Sequence, residues 1–231
     1  MASKRGIGKM LIGNGGCWIL LWATAAIGCR DAAVQSKGYE SPQEAGEAFI
    51  AAMTRKDWKT GFRCFAPEDR DLVIAHLITM TRFVTARAEK AEQAAEALLK
   101  KHGFEPAKAE EAVKTASIGV EANQDKPDRK PVVKAFVDQI KDKELLFAST
   151  LTWLDQDYGG DRKVGACSLQ ELKATEDAAT GQLNTGSAHT VHFRKVDGRW
   201  FMALPEEQYR LSGWNDVFLM DFLDALHGWR L

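Results

Sequence analysis

At Gly159-Gly160 the apolar pattern of the chain changes period. Upstream, apolar residues recur every three or four positions, the spacing of a helix face; downstream they alternate, the spacing of strands. Short strands are expected at about 164–174, 177–184, 188–196 and 199–204, with turns at Glu176-Asp177, Thr185-Gly186 and Asp197-Gly198. The last turn gives the sharpest signal, because Asp-Gly between two apolar alternating runs forms a two-residue hairpin whose twist suits paired strands. Three to four strands in an antiparallel meander follow. With the helices first and the strands last, the fold class is α+β, an N-terminal helical hairpin and long helices packed on a C-terminal meander.

The helices have readable starts. Ser41-Pro42-Gln43-Glu44 sets an N-cap serine, a proline at the first helical position and a glutamate at the third. Ala45, Ala48, Phe49, Ala52 and Met53 then recur at helical spacing, and a short helix from Trp58 to Phe65 completes the hairpin. Pro67-Glu68-Asp69 opens a third helix, whose Leu72, Val73, His76, Leu77, Met80, Phe83 and Val84 form a buried stripe. Residues 86–117 are rich in Ala, Glu and Lys, carry a thin stripe and stop once at Gly103; they read as a helical insertion, lying on the domain or projecting from it. A turn-rich loop spans 118–130, and a helix from Pro131 onward is broken or kinked at Lys141-Asp142-Lys143. Trp214–Trp229 is a closing helix with an unusually wide apolar face, either docked on the core or a surface for a partner. Residues 41–231 are expected to form a single domain.

The N-terminus has a different logic. Lys4, Arg5 and Lys9 precede an apolar run from Cys17 through Ile27 that ends in small residues, the zones of a signal peptide over residues 1–28. The run is about half the ~20 residues that cross a hydrocarbon core, and Arg30-Asp31 ends it. Ala26-Ile27-Gly28-Cys29 resembles the lipobox of bacterial lipoproteins, which prefers Leu where Ala26 stands. The resemblance implies diacylglycerol on Cys29 and a cell-envelope address, membrane-anchored on the periplasmic or outer face. The same tetrapeptide fits the small-x-small rule of the ordinary signal peptidase, so both routes cut at Gly28/Cys29. Residues 29–40 are then a polar tether.

Thirty-one basic residues nearly cancel thirty-two acidic ones, which leaves no field to gather nucleic acid. Cys17, Cys29, Cys64 and Cys167 include no C-x-x-C pair, which disfavours zinc and thioredoxin-like chemistry. After cleavage Cys64 and Cys167 remain, either as a disulfide or as two separately buried thiols. No G-x-S-x-G elbow, Walker loop, G-x-G-x-x-G fingerprint or H-E-x-x-H is present, so no cofactor is implied.

Ser41-Pro-Gln-Glu-Ala-Gly-Glu-Ala-Phe, Lys56-Asp57-Trp58 and Val196-Asp-Gly-Arg-Trp200, in that order, are similar to small members of the nuclear transport factor 2-like superfamily, which includes bacterial lipoproteins. The resemblance implies a curved sheet wrapped on a helix and enclosing a cavity, which relatives use for isomerisation, hydration or ligand binding. Fold licenses none of these activities. Candidate pocket residues are His189, Trp153, Trp200 and Tyr209. His189 shares a strand face with Val191 and Phe193, whereas His192 falls on the other, so the two do not converge on a metal. His76 reads as a core histidine and His102 as helix C-terminal charge. The chain is thus expected to be an exported, lipid-anchored protein with a non-catalytic domain for an unknown protein or small-molecule partner. The alternative is a cavity enzyme of the isomerase or polyketide-cyclase kind with His189 inward.

Overall fold

The computed structural model describes residues 38–86, 89–120, 129–157, 167–184 and 188–205, without the side chains of residues 83–84 and 118–120. The leader, Cys29, the tether as far as Lys37, most of the 118–130 loop, Gly159-Gly160, the Thr185-Gly186 turn, Tyr209 and the segment 214–229 lie outside the described residues.

Helix α1, Pro42–Thr54, starts as its cap dictates: Ser41 Oγ accepts from the Glu44 N–H at 3.1 Å, and the Glu44 carboxylate accepts from the Glu40 N–H at 3.1 Å. Its buried face is Ala45, Gly46, Phe49, Ala52 and Met53. Asp57 caps α2, Trp58–Arg63, through the Thr60 N–H at 3.2 Å. The hairpin is tight, since a Cβ on Gly61 would lie 2.8 Å from Met53 Sδ. Helix α2 stops at Arg63 rather than running to Phe65, because the next residues pair with a strand: Met202 N–H donates to Cys64 O at 2.9 Å and Ala66 N–H to Met202 O at 2.8 Å.

Pro67–Asp69 forms a 3-10 turn that leads into α3, Arg70–Thr85, whose Leu72, Val73, His76, Leu77 and Met80 are buried as the stripe requires. The insertion is two helices, α4 (Glu89–Lys101) and α5 (Pro106–Val120), and it lies on the domain, burying Ala95, Leu99, Phe104 and Ala109. Between them Gly103, at φ +89, donates to Lys100 O and Phe104 donates to Leu99 O, the glycine-terminated cap anticipated at that position. Helix α5 runs to Val120, three residues into the stretch expected as a loop from 118. The interruption at 141–143 is a full break between α6 (Lys130–Val137) and α7 (Lys143–Asp157), fixed by Asp142 Oδ1, which accepts from the Leu145 N–H at 2.8 Å.

Strands β1 (Ser168–Ala174), β2 (Ala178–Asn184), β3 (Ala188–Val196) and β4 (Arg199–Ala203) form an antiparallel sheet in the order β1-β2-β3-β4. The fold is therefore α+β with helices packed on a C-terminal meander. At the β3–β4 turn Asp197 and Gly198 have φ +50 and +78, as a two-residue hairpin of this hand demands. In β1 the register shifts between Gln170 and Lys173, with Glu171 at φ +50. This bulge brings Leu169 and Leu172 over Gly181, where an added Cβ would meet their Cδ1 atoms at 2.8 and 3.3 Å.

Helix α1 crosses the sheet, packing on β1, β3 and β4. The outer edge of β4 is also covered. Tyr39 bridges Trp200 in antiparallel fashion and Phe65 bridges Met202 in parallel.

Candidate functional site

A functional cavity in this fold would lie between α1 and the inner face of the sheet, the face of Ala179, Leu183, Val191, Phe193, Trp200 and Met202. Those side chains are all buried in the core. A Cβ on Gly46 would come 2.6 Å from Leu169 Cδ2 and 3.2 Å from Phe193 Cζ, so a methyl group there would have to displace the Leu169 side chain and press on the buried Phe193 ring. Phe49 adds an edge-to-face contact with Phe65, ring centroids 5.3 Å apart. In this region the interior is filled with side chains.

The expected pocket residues are not brought together. His189 is on the inner face, opposite Leu183, as its alternation implied, and His192, opposite Thr180 and Ala203, is on the other. Trp200 pairs with Lys195, six residues along β3 from His189, which separates the two by roughly 20 Å of strand. Its ring is buried, with Lys195 Nζ 5.8 Å from the centroid. Trp153 sits on α7, which packs on α2 and α3. It lines a shallow groove of about 290 Å³ with Ala148, Ser149, Thr152 and Gln156, a volume at the lower limit of small-molecule sites. The groove offers hydroxyl and amide groups and no acid or base. Tyr209 lies outside the described residues.

Cys64 and Cys167 are both free thiols. Cys64 belongs to the segment on the outer edge of β4, while Cys167 precedes β1 at the other side of the sheet. Four inter-strand spacings of about 4.8 Å place them on the order of 19 Å apart, against the ~7 Å limit of a disulfide. The disulfide alternative thus gives way to separate thiols.

What the fold does assemble is a polar cluster where α2 meets β4. The Tyr39 hydroxyl and Cys64 Sγ are 3.2 Å apart, with Cys64 fully buried. Burial pushes the Cys64 thiol up to about 12 and the Tyr39 phenol far above its ordinary range. At neutral pH neither ionises, so the thiol lacks the thiolate character that makes a cysteine nucleophilic. Arg70 donates from Nε to Phe65 O at 3.1 Å and from Nη2 to Arg63 O at 2.9 Å, satisfying carbonyls that the short α2 leaves open. Burial lowers its pKa, whereas the hydrogen bond that neighbouring Arg63 donates to Glu144 raises that of Arg63. The Arg63–Glu144 pair is bidentate, with both contacts at 2.7 Å.

A second polar anchor lies beneath it. Asp69 is fully buried; its Oδ2 accepts from the Leu204 N–H at 2.9 Å and its Oδ1 is 3.6 Å from Arg194 Nη1, which also meets Glu68 at 3.0 Å. A buried carboxylate is tolerable when paired and hydrogen-bonded in this way. In the sequence Asp69 stands only as part of the Pro67-Glu68-Asp69 helix start, and Tyr39 is not singled out. The sole trace was the exit of Gly38-Tyr39 into a capped helix; the 135-residue separation of Asp69 from Leu204 left none.

The described residues contain no group of three or more His, Cys, Asp or Glu side chains that could hold a metal, and no helix among them is long and apolar enough to cross a membrane. No protein-family model matches the chain, and neither a curated protein nor a solved structure is significantly similar to it.

Proposed function

We propose that this chain is an exported envelope protein, cut before Cys29 and held to a membrane by lipid on that residue, whose α+β domain binds a partner rather than catalysing a reaction. The address rests on one observation. An apolar run of signal-peptide length ends in Ala26-Ile27-Gly28-Cys29 and is followed at once by Arg30-Asp31. Several acyl chains on one cysteine make attachment effectively stable, since each buried methylene contributes about 0.8 kcal/mol.

For the domain, the nuclear transport factor 2-like reading is supported by a helical hairpin whose first helix crosses a four-stranded meander. The non-catalytic reading is supported by the packing at Gly46, which fills the region where such folds keep a cavity. The partner is a protein or a small molecule.

Intact-mass spectrometry of the membrane fraction, with Cys29→Ala as control, tests the address. The expected product starts at Cys29 and carries acyl mass that the variant lacks. A mature chain beginning at Cys29 without added mass would remove the anchor and leave export; a full-length chain would remove both.

A further inference from the structure

Residues 38–40 belong to the fold rather than to the tether. Gly38 has φ +74, and a Cβ there would lie 2.6 Å from Phe201 Cζ and 2.7 Å from Arg199 Cβ, so glycine is required twice over. Tyr39 donates to Trp200 O at 3.0 Å and accepts from the Trp200 N–H at 2.8 Å. Its phenol meets Cys64 Sγ, and Glu40 pairs with Arg199. One residue later Ser41 caps α1.

We propose that Gly38–Glu40 is a strap that closes over the outer edge of β4 and over Cys64, and that it opens as a unit while the helices and the rest of the sheet stay folded. The balance of contacts decides this. The strap is held by one isolated bridge, one hydrogen bond to sulfur, the Glu40 N–H on the Glu44 carboxylate, one exposed ion pair and the partly buried Tyr39 ring, whereas α1 beyond it is fixed by a cap and a continuous buried face. Segments with few buried contacts open at a fraction of the free energy of global unfolding. Gly38 supplies the backbone freedom at the swinging end. Opening would uncover the Trp200 N–H and C=O and the Cys64 thiol together. Tension on residues 30–37 would act directly on Tyr39, and the strap works the same way whether or not Cys29 carries lipid.

Cys64 is a built-in reporter. In the closed state burial suppresses its thiolate, so alkylation must wait for opening. The test is peptide-resolved maleimide labelling of the full chain in membranes at mildly alkaline pH, with the half-buried Cys167 as internal reference. Cys64 should label more slowly than Cys167. Tyr39→Phe removes the phenol–thiol bond and should speed Cys64 by roughly two- to tenfold. Gly38→Val, which cannot seat against Phe201, should speed it further, with Cys167 unchanged in both variants. Unaltered Cys64 labelling in both variants overturns the strap; so does a parallel rise at Cys64 and Cys167, which means that the whole domain loosens.

Discussion

Helix α1 and the sheet meet across Gly46, Phe49, Leu169 and Phe193 so closely that an added methyl group would have to displace Leu169, while the α4–α5 hairpin reaches the rest of the domain through Ala95, Leu99, Phe104 and Ala109. Both regions are α-helix laid on a support, yet they are built on opposite terms. In the first, shape decides, and glycine lets the helix approach Leu169 and Phe193 without displacing either. In the second, most positions face water and are held by i,i+3 and i,i+4 ion pairs such as Lys108–Glu105 and Lys114–Glu110, which contribute little to stability. The domain therefore has a rigid part and a cover, and the two should fail separately.

The largest expected effect comes from Phe49→Ala. Emptying a fully buried ring site at the helix–sheet contact should cost about 3–5 kcal/mol, read in denaturant unfolding as one shift common to helix and tryptophan signals. If those signals part company in this variant, the rigid part is not one cooperative unit. Leu99→Ala, on the cover, should cost about 2 kcal/mol in a different way. Amides of α4 and α5 should exchange faster while those of α1 and β3 keep their protection; uniform loss across all four would erase the distinction. Gly46→Ala inverts a common rule. Alanine normally stabilises a helix by about 1 kcal/mol over glycine, but overpacking against Leu169 should leave a net loss of about 1–2 kcal/mol. A stabilised variant would show that the contact has slack.

How much of this could be read from sequence follows the same division. Cap, hairpin turn and alternation placed α1, β3 and β4 closely, because each is local chemistry: Ser41 with Glu44, Asp197 with Gly198, Val191 with Phe193 on one face. The end of α2 was misjudged because Cys64–Ala66 leaves the helix for a strand more than 130 residues away, a choice no local propensity encodes. The candidate pocket residues that the structure describes are dispersed for a related reason. Alternation gives the inward direction of His189, but residue type alone does not show that Trp153 and Trp200 lie on different layers. Asp69 and Tyr39, the side chains that tie distant segments together, carried no motif.

The smallest expected effect is a pH dependence confined to the cover. His102, at the end of α4, has its pKa lowered chiefly by burial and also by Lys101, with Asp142 opposing. Its Nε2 is buried with no hydrogen-bond partner among the described residues. The unfolded chain therefore takes up a proton at higher pH than the folded one, so the contribution is intact above about 6.5 and is lost as pH falls below it. Hydrogen exchange near 95–104 should accelerate on mild acidification, and His102→Gln should flatten that response; an unchanged profile in the variant would assign it to other groups.

The bulge in β1 has a consequence beyond the fit of two leucines on one glycine. An edge strand is a template on which a second copy can extend the sheet, and flat, regular edges aggregate. Here one edge is covered by Tyr39 and Phe65, and the other is bent out of register at Glu171, beside Lys173, so that its hydrogen-bonding row is interrupted and charged. A neighbour arriving there finds no continuous ladder. Chains crowded together on one surface would meet edge to edge far more often than chains free in solution, and a sheet with one edge covered and the other interrupted gives such encounters no continuous ladder to extend.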